Sequence, residues 1–168
     1  MWDFQREAWG AYARGCHGLI QVPTGAGKTY AAFMGPLMEM MAAKDAGGGQ
    51  RPAIHTLYIT PLRAVTRDIE LALRRPVMEM GVAITVESRT GDTAASLRAK
   101  QRERLPHVLI TTPESLCLLL TRDNARELLA SLRCVIVDEW HDLLVSKRGS
   151  ATELALARLR AWTPALRT

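Results

Sequence analysis

"GLIQVPTGAGKT", residues 18–29, joins a short apolar run to a glycine-rich turn that opens a segment of helical composition. The apolar run 18–22 predicts a strand, and residues 29–43 have the length of a helix. Gly25 and Gly27 allow the backbone to direct successive N–H groups at one phosphate group, and the helix start adds a partial positive charge. The stretch therefore predicts a phosphate-binding loop between a strand and a helix.

The side chains of this loop predict a nucleotide and a magnesium ion as its ligands. Lys28 can reach the β- and γ-phosphates of a nucleotide, and the Thr29 hydroxyl can bind Mg²⁺. The full motif has a glycine where this sequence has Val22, but the N–H groups that contact phosphate come from residues 25–29. A turn that merely caps a helix is the alternative. The predicted nucleotide-binding residues are Thr24, Gly25, Ala26, Gly27, Lys28 and Thr29.

Two acids follow an unbroken apolar run near the end of the chain. Residues 134–137, "CVIV", predict a buried strand, and Asp138 and Glu139 come directly after it. Carboxylates at the edge of a core are costly unless a cation compensates them. We expect Asp138 to hold the Mg²⁺ and Glu139 to orient and deprotonate the water that attacks the γ-phosphate of a nucleotide. Without the glycine loop, the same acids would more often be a solvated strand end.

Strands and helices alternate along the chain. The predicted strands are 18–22, 56–60, 82–88, 107–112 and 134–137, the predicted helices are 29–43, 64–75, 94–105, 113–120 and 151–162, and 45–52 is a predicted loop. This order predicts an α/β domain with a mostly parallel sheet and helices on both faces. Ligands of such sheets bind beyond the carboxyl ends of the strands, where the glycine loop and the acids both lie.

The composition is that of a soluble globular domain. The 168 residues are 48% hydrophobic and 23% charged, which excludes a disordered chain and fits one domain. Lys and Arg outnumber Asp and Glu by 22 to 17, which suits a polyanionic partner, although an arginine-rich solvated surface explains it equally well. No signal peptide, membrane span, disulfide framework or zinc framework is recognisable. We expect a cytoplasmic protein without a membrane partner.

Several motifs, in this order, resemble the amino-terminal motor domain of superfamily 2 DExH-box helicases. The resemblance is closest to the large-helicase-related family and its ligase-associated DEXH-box DNA helicases. The matching stretches are "FQREAW" (4–9), "PTGAGKT" (23–29), "ITPLRAVTRDIE" (59–70), "ESRTGDT" (87–93), "TTPESL" (111–116), "DEWH" (138–141) and "KRG…TELALARLR" (147–160). The resemblance implies a RecA-like ATP-binding domain over residues 1–168, ending before a Ser-Ala-Thr coupling motif and without the second RecA-like motor domain.

The resemblance also implies roles for individual residues outside the glycine loop. Gln5 would hydrogen-bond the adenine edge. Phe4, Trp2 or Arg6 would pack on the base. His141 would couple the hydrolysis site to the second motor domain. The implied contacts with a nucleic-acid backbone are Thr60, Pro61, Arg63, Thr90, Gly91, Thr111 and Thr112.

Structural roles are the alternative for most of these residues. Gln5 is also explained as a polar residue near the chain start, and Arg63 as a solvated surface arginine. Residues 90–92 are also explained as a connecting turn, and Thr112 as the N-cap of a helix. The basic segment 98–105 could add affinity for phosphates, but a solvated helix face is the simpler explanation.

The implied function is an ATP-dependent DNA helicase that moves on single-stranded DNA, working in DNA repair beside a DNA ligase and a nuclease. The residues do not separate DNA from RNA, so an RNA-directed DExH helicase is the alternative. A non-catalytic ATP-binding module would tolerate loss of Glu139. A P-loop kinase or GTPase would share the glycine loop, but the sequence has no "NKxD" guanine-reading motif. Without an arginine finger from a second domain, we expect slow ATP hydrolysis at most.

Overall fold

The computed structural model describes residues 2–23, 25–45, 54–144 and 146–168. In chain order the elements are α1 (Asp3–Ala13), α2 (Lys28–Asp45), β1 (Thr56–Ile59), a 3₁₀ turn (Arg63–Val65), α3 (Thr66–Glu79), β2 (Val86–Arg89), α4 (Ala95–Glu103), β3 (Val108–Thr111), α5 (Pro113–Leu120), α6 (Ala125–Leu128), β4 (Cys134–Val137), α7 (Trp140–Leu144) and α8 (Lys147–Trp162). The four strands of the described ranges form one sheet in the order β2-β3-β1-β4, and every pairing is parallel. The predicted α/β fold with a parallel sheet is confirmed.

The register of the sheet aligns the carboxyl ends of its strands. Ile59 of β1 lies opposite Thr111 of β3 and Val137 of β4, and Arg89 of β2 lies opposite Thr111 on the other side. β1 and β3 are buried along their whole lengths, which fits their apolar sequences and their interior positions. The loops that leave this carboxyl edge carry most of the predicted site residues.

Helices cover both faces of the sheet because successive strand residues point to opposite faces. Leu57 and Ile59 pack into one core with residues of α5 and α8, while Tyr58 packs into a second core with residues of α2 and α3. The predicted two-faced arrangement is therefore confirmed. Within the described ranges, every helix is too short or too polar to cross a membrane.

Most predicted elements form close to their expected limits, but the strand predicted at 82–88 begins later, at Val86. The segment before it is held by other bonds: the Thr85 N–H donates to Nδ1 of His107 at 3.0 Å, and the Val82 N–H donates to the Val77 carbonyl at 3.2 Å. These N–H groups are therefore not available to a strand ladder. Residues 46–52 of the predicted loop lie outside the described residues.

The strand predicted at residues 18–22 is wrong, because this segment is irregular in the structure. Leu19 is 80% exposed, and a cleft of about 1470 Å³ separates residues 18–22 from β4. Among residues 18–22, and within the described chain, only Gly18 makes a backbone hydrogen bond: its N–H donates to the Thr168 carbonyl at 3.1 Å. Arg167, the neighbour of Thr168, pairs in parallel with Cys134 of β4. An apolar run forms a strand only where a ladder partner takes its N–H and C=O groups, and residues 19–22 have no such partner among the described residues.

A polar cluster at the amino end of the sheet holds α1 against the rest of the domain. Glu39 of α2 accepts two hydrogen bonds from Nη2 of Arg167 at 2.6 Å, and it also contacts the Tyr12 hydroxyl of α1 and Nε2 of His55. The Arg167 guanidinium lies over the Tyr12 ring at 4.0 Å. These contacts fix the position of α1, whose first turn carries Phe4 and Gln5.

Candidate active site at the carboxyl edge of the sheet

The glycine loop has the backbone conformation that a tight phosphate-binding turn requires. Gly25 and Gly27 have φ angles of 82° and 89°, which residues with a side chain rarely adopt. The Ala26 N–H closes the turn on the Pro23 carbonyl at 3.2 Å, and Lys28 is the first residue of α2. The loop therefore places Lys28 and the start of a helix at the carboxyl edge of the sheet. Thr24, also predicted to bind nucleotide, lies outside the described residues.

Lys28 and Glu139 face each other across the site, although they are 111 positions apart in the sequence. Nζ of Lys28 lies 3.6 Å from Oε1 of Glu139, and both side chains are part-exposed. An ion pair with this exposure contributes little to stability. Its importance is positional, because it brings the predicted phosphate-binding cation and the predicted general base to one point.

Asp138 is a half-buried acid at the end of β4. Its N–H continues the ladder to the Ile59 carbonyl at 2.8 Å, and its Oδ1 accepts the Glu139 N–H at 3.1 Å. Burial raises the pKa of Asp138 and the charge of Glu139 raises it further, while hydrogen bonds and Lys28 oppose the shift. The carboxylate form of Asp138 is therefore costly here, and a cation bound beside it would lower that cost.

Tyr58 is a site residue that the sequence analysis missed. The side chain is 1% exposed, and its hydroxyl interacts with the Asp138 carboxylate, which raises the pKa of Tyr58, and with the Thr29 hydroxyl, which lowers it. Burial is the largest of the effects that raise the pKa of Tyr58, so the hydroxyl stays protonated. Tyr58 thereby connects the two predicted magnesium ligands. The only signal in the sequence was a tyrosine between the apolar residues Leu57 and Ile59 of the predicted strand.

Glu139 has an unusual backbone conformation, with a φ angle of 45°. Such a conformation costs free energy in a residue with a side chain and is typical of functional positions. The Glu139 carboxylate also lies 3.4 Å from Nδ1 of His141, whose Nε2 lies 3.3 Å from Asp142. The structure thus places the exposed His141 ring beside the candidate base. The coupling role of His141 stays a prediction.

Gln5 is buried against the glycine loop. Its amide nitrogen donates to the Gly27 carbonyl at 3.3 Å, and its amide oxygen accepts the Trp2 N–H at 2.9 Å. Phe4 lines the cleft, whereas Trp2 and Arg6 do not. Gln5 and Phe4 therefore lie where a base next to the loop would be expected, and their contact with adenine stays a prediction.

The predicted nucleic-acid residues follow β1, β3 and β2 along the same edge of the sheet. Arg63 is exposed, and a Cβ atom added to Gly91 would lie 3.1 Å from its Nη1, so two separate loops meet at this point. The Pro61 carbonyl accepts from Nη2 of Arg148 at 2.6 Å, and Arg148 also pairs with Glu114. Arg148, which lies in the "KRG" motif, was given no role in the sequence analysis. It joins the ends of β1, α5 and α8.

Four threonines of this edge have buried side chains. The Thr111 hydroxyl donates to the Arg89 carbonyl at 2.8 Å, and Oγ1 of Thr112 accepts the Ser115 N–H at 3.4 Å as the N-cap of α5. Oγ1 of Thr90 lies within 3.2 Å of the Asp92 N–H, and Oγ1 of Thr60 has no hydrogen-bond partner in the described part of the chain. Their contact with a phosphate stays a prediction.

Comparisons with known proteins agree with this arrangement. The DEAD/DEAH box helicase family matches residues 2–168. The chain is 38% identical to the ATP-dependent helicase Lhr-Core of Methanothermobacter thermautotrophicus over 94% of this chain and 19% of that protein. It is 40% identical to the Lhr helicase/uracil glycosylase of Escherichia coli over 94% of this chain and 11% of that protein.

A solved structure of a relative has the same fold. The helicase Lhr of Mycobacterium smegmatis, described as bound to ssDNA and AMP-PNP, superimposes with a TM-score of 0.79 at 40% identity. The match covers 98% of this chain and 22% of that one. The chain therefore spans about a fifth or less of the relatives it matches.

Proposed function

Because this chain belongs to the DEAD/DEAH box helicase family, we propose that it is the ATP-binding half of the motor of an ATP-dependent DNA helicase. The observation that carries the proposal is the 3.6 Å approach of Lys28 to Glu139, which directly follows the half-buried Asp138. A phosphate-binding cation, a general base and a metal-binding carboxylate are the groups that nucleotide hydrolysis requires. The ssDNA and AMP-PNP complex of the mycobacterial relative supports both proposed ligands.

Different residues of this chain bind the phosphates and accept the proton during hydrolysis. Lys28 binds the γ-phosphate and offsets its charge, while the N–H groups at the start of α2 bind the neighbouring phosphate oxygens. Glu139 accepts one proton from a water molecule, whose oxygen forms a bond to the γ-phosphorus. The bond from the γ-phosphorus to the β,γ-bridging oxygen breaks, and that oxygen leaves on ADP.

Thr29 and Asp138 fit a magnesium ion. Both supply oxygen atoms, and the hydroxyl of Tyr58 interacts with both side chains. No cluster of three or more metal-binding side chains occurs in the described ranges, and Mg²⁺ commonly uses only one or two carboxylates beside substrate phosphates. Bound there, Mg²⁺ would offset the negative charge of the β- and γ-phosphates.

The proposed partners follow from the same edge of the sheet. Single-stranded DNA would cross the carboxyl ends of β1, β3 and β2, where Arg63 and Gly91 meet. A second RecA-like domain of the full-length protein would cover the nucleotide beside His141. We propose DNA repair as the setting, with a DNA ligase and a nuclease as further partners, and RNA in place of DNA as the alternative substrate.

The test is ATP turnover by the full-length protein with and without single-stranded DNA, repeated with single-stranded RNA. DNA should raise turnover, and Glu139→Gln should lower it by roughly 100-fold or more while nucleotide binding persists. A stronger response to RNA would select the alternative substrate. Turnover that neither nucleic acid changes, or that survives Glu139→Gln, would overturn the proposal.

A further inference from the structure

Four arginines converge beside the carboxyl end of β2. Arg89 ends β2, Arg98 and Arg102 lie one helical turn apart on α4, and Arg122 follows α5. Nη2 of Arg122 donates to the Arg102 carbonyl at 2.8 Å, and Nη1 of Arg89 lies 3.4 Å from Oε1 of Gln101. Three separate elements therefore bring these side chains together, and we call Arg89, Arg98, Arg102 and Arg122 the arginine cluster.

Within the described ranges, the arginine cluster lacks a compensating acid. Among the described residues, no carboxylate oxygen lies within 4.0 Å of any of its four guanidinium groups. Glu87 is close in sequence, but its carboxylate accepts a hydrogen bond from Gln101 at 2.9 Å instead. Nη1 of Arg122 is buried and has no hydrogen-bond partner in the described part of the chain. A buried N–H group without a partner is costly, so the Arg122 guanidinium is incompletely satisfied within the described residues.

The charges within the arginine cluster repel one another. The pKa of Arg89 lies below its usual value, first because of burial and then because of the charges of Arg122, Arg98 and Arg102. Like charges held together without a counter-charge destabilise a fold. A polyanion bound on this surface would remove that repulsion.

The arginine cluster also continues the row of predicted nucleic-acid residues. Thr90 follows Arg89 directly, and the Thr111 hydroxyl donates to the Arg89 carbonyl at 2.8 Å. Because β2 and β4 lie at opposite ends of the sheet, the cluster is at the far end of the edge from Asp138 and Glu139. It is therefore separate from the nucleotide site.

We propose that the arginine cluster binds backbone phosphates of a single-stranded nucleic acid that has crossed the carboxyl ends of β1, β3 and β2. This inference rests on the proposed function and extends its nucleic-acid track onto α4 and the end of α5. The planar guanidinium group donates two parallel hydrogen bonds to a phosphate, which suits backbone binding without base recognition. Four cations spread over the end of β2, α4 and the segment after α5 match a chain of phosphates rather than a single one.

The test is equilibrium binding of fluorescently labelled single-stranded DNA and RNA to the full-length protein over a range of salt concentrations. The variant is Arg98→Gln with Arg102→Gln, because both side chains are exposed and make no hydrogen bond in the described ranges, so the fold should persist. The matched control is Arg126→Gln with Arg133→Gln, which removes the same charge from exposed positions on α6 and before β4.

The variant at 98 and 102 should bind roughly tenfold or more weakly at low salt, and its log–log salt slope should be shallower by roughly 1.4. The control should match the wild type. Equal losses for DNA and RNA would assign the contacts to phosphate, and a loss for one alone would assign the track to that nucleic acid. Wild-type affinity and slope in the variant would overturn the inference and leave the proposed function standing. If the wild type binds neither nucleic acid, both this inference and the proposed function are contradicted.

Discussion

The two ends of the carboxyl edge carry opposite charges. At the β4 end, Asp138 and Glu139 face one lysine of the described residues, Lys28, and the ring of His141, whereas at the β2 end the arginine cluster has no acid among the described residues within ion-pair distance. The first end is short of positive charge and the second is short of negative charge. A metal-bound nucleotide and a nucleic-acid backbone are the ligands that would correct these two imbalances.

The two ends also differ in how they are built. The nucleotide end depends on backbone conformation, because Gly25, Gly27 and Glu139 all have positive φ angles. The arginine end depends on side chains that project from α4 and from the end of α5. Substitutions that alter the backbone should therefore damage the nucleotide end, and substitutions that remove charge should damage the other.

Gly27→Ala should have a larger effect than Gly25→Ala, Tyr58→Phe or Thr112→Ala. The new Cβ would lie 2.8 Å from Nε2 of Gln5, in addition to backbone strain of about 1–3 kcal/mol at a φ of 89°. We expect a lower free energy of unfolding in urea and a loss of nucleotide binding, with nucleic-acid binding retained in the folded fraction.

Gly25→Ala is the matched control for that substitution. Its φ angle is 82°, but no atom of the described, non-adjacent residues lies within 4 Å of an added Cβ, so the backbone strain is the expected effect. Gly27→Ala should therefore be the more damaging of the two. Equal effects would mean that the Gln5 side chain moves away from the added Cβ at little cost, and that its contact with the loop is unimportant.

The sequence predicted those features whose chemistry is local in the chain. Lys28 and Thr29 follow one glycine loop, and Asp138 and Glu139 follow one strand, so their spacing was sufficient to find them. Tyr58 could not be found in this way, because its hydroxyl matters only through Asp138 and Thr29, which are distant in sequence.

The same limit explains the incorrect strand at residues 18–22. Their apolar composition satisfied strand propensity, but a strand also needs a neighbour, and the cleft beside β4 leaves them without one in the described structure. The basic segment 98–105 is the reverse case. Its charge was visible in the sequence, but its approach to Arg89 and Arg122 depends on how α4 and α5 pack.

Tyr58→Phe should have an intermediate effect, and it tests whether the Tyr58 hydroxyl supports the nucleotide end. It removes the interaction of the Tyr58 hydroxyl with the Asp138 carboxylate, and a hydrogen bond to a charged group contributes about 1.5–3 kcal/mol at most. We expect a lower free energy of unfolding at neutral pH and weaker Mg²⁺-dependent nucleotide binding. Tyr30→Phe is the control, because its hydroxyl has no hydrogen bond in the described ranges.

The pH dependence of the wild type and of Tyr58→Phe gives a second measurement. The folded pKa of Asp138 is raised, so above the usual aspartate pKa the folded state retains a proton that the unfolded state has lost. The free energy of unfolding attributable to Asp138 therefore decreases as pH rises through this window. Tyr58→Phe should raise that pKa further, so the two proteins should differ less in acid than at neutral pH. A pH-independent difference would mean that the hydroxyl does not act through Asp138.

Thr112→Ala should have the smallest effect, and it tests where the nucleic-acid track runs between the two ends. Thr112 caps α5 by accepting the Ser115 N–H, and loss of such a cap costs about 1 kcal/mol. Thr112→Ser keeps the hydroxyl and should retain most of that stability. If Thr112 is only a cap, both variants should bind single-stranded DNA as the wild type does. If Thr112→Ala alone binds DNA more weakly while remaining folded, the hydroxyl contacts a phosphate, and the track passes over α5 on its way to the arginine cluster.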